Sequence, residues 1–212
     1  MKSLCFPEAK GKGGGISGLM THSDYQIPEL AESARAGDRT SLERLVNLFH
    51  GDIFRMVFYR TCSRMDAEDL TQEIFMQMMK SLPNLKDTSR FRPWLFRIAI
   101  NRVRDFHRKK SILNFFGTSS EVEDSVHISP VNSDDPADRL IQKEFWKQFH
   151  EFAKCLSQGE REVFILRFAD HLGIREIAET LKKNESTVKT LLYRALKKLR
   201  KTSGLRDMLH NS

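Results

Sequence analysis

Between Met65 and Met79 the chain carries Asp66, Glu68, Asp69 and Glu73 and no basic residue. Carboxylates this close could hold a magnesium ion, or they could face a partner that presents cations. Asp69, Gln72, Glu73 and Met76 stand at i, i+3, i+4 and i+7, so a helix sets them on one face. A magnesium-dependent enzyme would need a nucleophile, a phosphate-cradling loop or paired histidines nearby, and none accompanies this cluster. Like charges crowded on one face repel mildly. That favours a docking surface for a cationic protein partner.

Other chemistry-bearing residues are dispersed. Cys5, Cys62 and Cys155 are odd in number and far apart, without a CxxC spacing. The seven histidines show neither HExxH nor a paired spacing. Reduced thiols are expected, with no disulfide framework, no metal, no cofactor and no catalytic residue.

Basic residues, by contrast, are concentrated. From Arg90 to Lys110 there are eight Lys and Arg (Arg90, Arg92, Arg97, Arg102, Arg104, Arg108, Lys109, Lys110) against Asp105. From Lys182 to Lys201 there are eight more (Lys182, Lys183, Lys189, Arg194, Lys197, Lys198, Arg200, Lys201) against Glu185. Each block carries a net +7, equal to the formal excess of the whole chain. With a pI near 9.4, the chain suits a polyanion, either nucleic acid or an anionic membrane surface. Two separated blocks suggest two separated stretches of phosphate backbone. No uncharged apolar run approaches the roughly 18 residues that span a bilayer. Gly11 to Gly18 is polar and glycine-rich where a signal peptide would be apolar. A cytoplasmic protein without membrane insertion is expected.

The elements that must position these groups read as helices throughout. The 212 residues allow one ordinary domain or two small ones. Residues 1–26 lack an apolar period and are expected to be a disordered extension. From Ile27 to Lys110 the period is helical. Leu42, Leu45, Val46, Phe49, Ile53 and Val57 form one stripe, and Ala67, Leu70, Ile74, Phe75 and Met78 a second. Trp94, Leu95, Ile98, Val103 and Phe106 form a third, interrupted by arginines. Residues 111–139 read as a linker, rich in turn residues and acidic: from Ser111 to Asp138 there are six acids and no Lys or Arg. A second helical domain is expected over 140–202, followed by a tail over 203–212. The predicted fold class is all-α, two small helical domains joined by a flexible acidic linker.

The second domain contains a helix-turn-helix pattern. Ser157 and Glu160 form a capping box ahead of Val163, Phe164 and Leu166. Leu172 and Gly173 end that helix. Ile174 to Leu181 is a short helix with Ile174, Ile177, Ala178 and Leu181 inward. Lys182 to Asn184 is the turn, and Glu185 to Leu199 the second helix, with Val188, Leu192, Ala195 and Leu199 inward. Ser186, Thr187, Lys189, Thr190 and Arg194 then face outward near its start. A recognition helix in the major groove presents its first turns to base edges in this way.

On these residues the chain resembles bacterial RNA polymerase sigma factors of the sigma-70 superfamily, extracytoplasmic-function (ECF) type. "DAEDLTQEIFMQMMKSL" (Asp66 to Leu82) is similar to the family's polymerase-binding helix. "FRPWLFRIAINRVRDFHRKK" (Phe91 to Lys110) resembles its promoter-melting region. "LSQGEREVFILRF" with "LGIREIAETLKKNESTVKTLLYRALKKLRK" resembles its promoter-reading domain. The resemblance implies binding of core RNA polymerase through Asp69, Gln72, Glu73 and Met76. It implies minus-ten DNA binding through Asn84, Lys86, Ser89, Arg90, Arg92, Asn101, Arg104 and Arg108, with Asn101 beside the pocket for an extruded base. Phe91 and Trp94 are aromatic candidates for stacking on a base, although the place of Trp94 in an apolar stripe favours packing. Minus-thirty-five binding falls to Ser186, Thr187, Lys189, Thr190 and Arg194. Promoter DNA and core polymerase are thus the implied partners, and an anti-sigma factor is common in the family. The chief rival is a stand-alone repressor or activator using the same helix-turn-helix, although no spare heptad seam offers dimerisation.

Overall fold

A computed structural model describes residues 22–115 and 152–201, with side chains described over 26–111 and 152–201. The glycine-rich start, most of the acidic linker and the tail lie outside the described residues. Those described are all helical, with no strand among them, and they belong to two compact units.

The first unit holds α1 (His22–Arg35), α2 (Arg39–Thr61), α3 (Arg64–Ser81) and α4 (Phe91–Phe115). Two 3-10 turns, Leu82–Asn84 and Thr88–Arg90, connect α3 to α4. Helix α1 starts at His22, ahead of the boundary expected at Ile27, and α4 runs to Phe115, into the segment expected to be linker.

Local chemistry explains the breaks. Gly37 at φ +102° makes the turn after α1, a conformation costly for any residue with a Cβ. Asp38 then caps α2, accepting from the N–H groups of Thr40 at 3.3 Å and Ser41 at 2.9 Å. At the other end of α2, Cys62 takes the left-handed conformation at φ 55°, where glycine is commoner. Ser63 caps α3 by accepting from Asp66 N–H at 3.3 Å.

Helix α2 is the centre of the unit, packed by α1, α3 and α4. Leu45, Phe49, Ile53 and Val57 are buried as the first stripe requires, while Leu42 and Val46 are half-buried. Ala67, Leu70, Ile74, Phe75 and Met78 of α3 are all buried. Phe91 lies inside this core, its ring 5.4 Å from that of Phe49. Burying a side chain of this size stabilises the fold by about 1.5–3 kcal/mol.

The second unit holds α5 (Gln158–Phe168), α6 (Ile174–Leu181) and α7 (Glu185–Leu199). The capping box at Ser157 and Glu160 is formed in both directions. Gly173 caps α6, with its N–H donated to Glu176 Oε2 at 2.7 Å. Lys182 closes α6 in the left-handed region at φ 52°, and Lys183 N–H reaches back to the Ala178 carbonyl at 2.9 Å. Val188, Ala195 and Leu199 of α7 are buried, with Leu192 half-buried. Phe152 and Phe164 meet edge to face at 5.4 Å under α5.

Candidate nucleic-acid interface

In the first unit four polar residues of α4 share one face. Arg97, Asn101, Arg104 and Arg108 recur at four-, three- and four-residue steps, while Leu95, Phe96, Ala99, Ile100 and Val103 are buried opposite. Asn101 and Arg104 are exposed, and Arg108 is exposed while pairing with Asp105 at 3.0 Å. Arg92 is half-buried, its guanidinium 5.6 Å from the Phe96 ring centroid. That placement gives Arg92 a cation–π contact in addition to any role toward phosphate.

Phe91 must be removed from the candidates for base stacking. It is 0 % exposed, because it continues the buried stripe of Leu95 and meets Phe49. Trp94 is half-buried against Phe91 at 5.7 Å, so it belongs largely to packing.

Asn84, Lys86, Ser89 and Arg90 are exposed on the connection before α4. Asp87 organises the last two. Its carboxylate accepts from Ser89 N–H at 3.0 Å and Ser89 Oγ–H at 2.5 Å, and Arg90 Nε lies 3.0 Å away. The Ser89 hydroxyl and then burial's smaller opposition leave the Asp87 carboxyl below the ordinary carboxylate range. Sequence reasoning missed Asp87, although an Asx residue two positions before a Ser is a turn signal.

Asp69, Gln72, Glu73 and Met76 come together on an exposed face of α3. Met65 and Met79 extend it, being 71 % and 42 % exposed, and a four- and three-residue step from the ends of the cluster could have flagged them. Glu73 is also 3.7 Å from Arg102 of α4, so the acidic face touches the basic helix. Among the described residues, no three His, Cys, Asp or Glu gather as a metal site.

In the second unit Ser186, Thr187, Lys189, Thr190 and Arg194 are all exposed on α7. Lys189 stands 3.7 Å from Glu185, a loose pair that a phosphate or a guanine edge can displace. The Thr190 hydroxyl donates to the Ser186 carbonyl at 2.9 Å, which leaves it an acceptor toward DNA. Tyr193, 66 % exposed beside Arg194, shares this surface and was not foreseen. The arrangement can place hydroxyls, an ammonium and a guanidinium in a major groove. No helix among the described residues is long and apolar enough to cross a membrane.

Residues 45–112 match the family model for Sigma-70 region 2, and residues 147–199 that for Sigma-70, region 4. The ECF RNA polymerase sigma factor BldN of Streptomyces coelicolor is 30 % identical over 82 % of this chain, and the chain spans 64 % of that protein's length. RNA polymerase sigma factor YlaC of Bacillus subtilis is 30 % identical over 77 % of this chain and 92 % of its own. Among solved structures, CnrH in complex with the cytosolic domain of CnrY is similar at a TM-score of 0.61 and 23 % identity, over 86 % of this chain and 97 % of that one.

Proposed function

We propose a division of labour for a chain that belongs to the ECF type of sigma-70 family sigma factors. It directs transcription initiation by core RNA polymerase and is not an enzyme in its own right. The α3 face of Asp69, Gln72, Glu73 and Met76 docks on the polymerase. The loop of Asn84, Lys86 and Ser89, with Arg90, Arg92, Asn101, Arg104 and Arg108, holds the separating strands of the minus-ten element. Asn101 hydrogen-bonds the edge of an extruded base, whose unstacking costs a few kcal/mol. Helix α7 reads the minus-thirty-five element through Ser186, Thr187, Lys189, Thr190 and Arg194.

The observation that carries this reading is the coincidence of the two basic surfaces with the two matched regions. The stripe of Asn101, Arg104 and Arg108 lies within region 2, and the exposed start of α7 lies within region 4. The domains that go with it are a first one holding α1 to α4 and a second over 140–202, joined by an acidic tether and preceded by an N-terminal extension. The place of work is the cytoplasm, where the polymerase is. An anti-sigma partner fits as well, since a similar fold, the sigma factor RpoE of Bartonella quintana, is seen in complex with the anti-sigma factor NepR.

Run-off transcription with purified core polymerase tests the reading. Promoter-specific transcripts should appear only when the chain is added. Sequence-specific DNA binding with no stimulation of core polymerase would favour the repressor instead.

A further inference from the structure

The connection from α3 to α4 holds two three-residue 3-10 turns with Leu85, Lys86 and Asp87 between them. Such short pieces hold themselves together poorly, so their shape depends on what grips them. From within, Leu82 and Leu85 are buried, Leu85 N–H meets the Leu82 carbonyl at 3.0 Å, and Asp87 caps the second turn. From outside, Arg35 at the end of α1 donates through Nη1 to the Leu85 carbonyl at 2.8 Å, across 50 positions of sequence.

This is a specific grip. The second arm of the guanidinium is held by Glu32, at 2.5 Å, and the Arg35 side chain is only 31 % exposed. A charge-assisted bond to a peptide carbonyl is stronger than a neutral one, and the fixed fork resists reorientation. The bonded carbonyl lies between Asn84 and Lys86. Helix α1 also packs against both 3-10 turns, and Arg35 precedes the segment matched to region 2.

We infer that Arg35 is a positioning residue, through which α1 sets the geometry at which Asn84, Lys86 and Ser89 meet the minus-ten strand. The inference rests on the assignment of that loop to the strand made above. Capture of an unstacked base needs contacts already in place, because misplacement by an ångström forfeits much of the gain. Without the guanidinium the Leu85 peptide turns to water, and the loop samples other shapes.

Full-length Arg35→Ala and Arg35→Lys test it in complex with core polymerase. Hydrogen exchange of the amides of residues 85–90 reads the grip. A fluorescent base in the minus-ten element reads opening, and transcription from single-base variants of that element reads discrimination. For Arg35→Ala, loop exchange and opening should each change about tenfold, the worth of one charge-assisted hydrogen bond. Discrimination should fall while polymerase affinity stays near wild type, and the thermal midpoint should drop by no more than the several degrees that one such hydrogen bond is worth. Arg35→Lys, which keeps a donor, should recover part of the loss. Unchanged loop exchange overturns the grip itself. Faster exchange with unchanged opening and discrimination overturns the assignment of the loop to the strand. A loss of opening that merely tracks polymerase affinity and thermal midpoint reduces Arg35 to a stability residue and overturns the positioning role.

Discussion

Lys198 Nζ lies 2.6 Å from Glu160 Oε2, joining residues 38 apart and tying the end of α7 to the start of α5. Glu160 serves twice, because the same oxygen accepts from Ser157 N–H at 2.9 Å in the capping box. The helix proposed to read DNA is therefore held against its own unit by a buried carboxylate, 5 % exposed.

That pair predicts an acid-sensitive fold. The Lys198 ammonium and the Ser157 N–H hold the Glu160 carboxyl below its ordinary range. A group whose folded pKa is lowered contributes stability that is complete above the unfolded value, about 4.3 for glutamate, and is lost as pH falls through the folded value. Glu160→Gln should cost about 2 kcal/mol at pH 7 and much less in the acid limb. Denaturant unfolding of both proteins at neutral and acid pH checks this. Parallel stability curves would deny Glu160 the role.

The recognition helix predicts a loss of DNA binding without a loss of folding. Lys189→Ala with Arg194→Ala should weaken minus-thirty-five binding by about 1–3 kcal/mol for each base-edge contact removed. The loose Lys189–Glu185 pair is exposed, so its contribution to the fold is at most about 1 kcal/mol. Thr190→Ala should matter less, since that hydroxyl already donates to its own helix. Normal transcription by the double variant from the chain's own promoters would refute the assignment.

Local pattern made much of this legible. The α3 stripe, the capping box at Ser157 and the turn at Lys182 to Asn184 each follow from residues a few positions apart, and each is formed. Contacts between distant residues were not legible. Arg35 to Leu85, Glu73 to Arg102 and Glu160 to Lys198 join separate elements, and no spacing announces them. Phe91 was misjudged because an aromatic beside arginines suits base stacking, while the packing of α2 that buries it is tertiary. The left-handed caps at Cys62 and Lys182 carry no glycine to mark them.

Thr71 offers a test of core chemistry on α3. It is 2 % exposed, and its hydroxyl has no hydrogen-bond partner among the described residues. A buried, unpaired hydroxyl retains its desolvation penalty. Thr71→Val keeps the shape and a similar helix propensity, so stability should rise by about 1 kcal/mol. Thermal unfolding of the two proteins decides it, and a lower midpoint for the variant would mean that the hydroxyl is satisfied.

The α3 face separates a sigma factor from a stand-alone repressor. Asp69→Lys with Glu73→Lys reverses two charges on an exposed surface, and only Glu73 has an inter-helix contact, the 3.7 Å pair with Arg102, to lose. Both members of that pair are about two-fifths exposed, so its loss should cost at most about 1 kcal/mol. Asp69→Lys alone spares the pair and controls for it. If the face docks on a polymerase surface rimmed by cations, like charges now meet and association should fall sharply, with the single variant intermediate. Affinity for non-specific DNA should hold or rise, because the variants are more basic. A repressor would keep or gain operator binding under the same change. Co-purification with core polymerase is the measurement, beside circular dichroism to confirm folding. Undiminished polymerase binding by a folded double variant would remove the docking surface from α3.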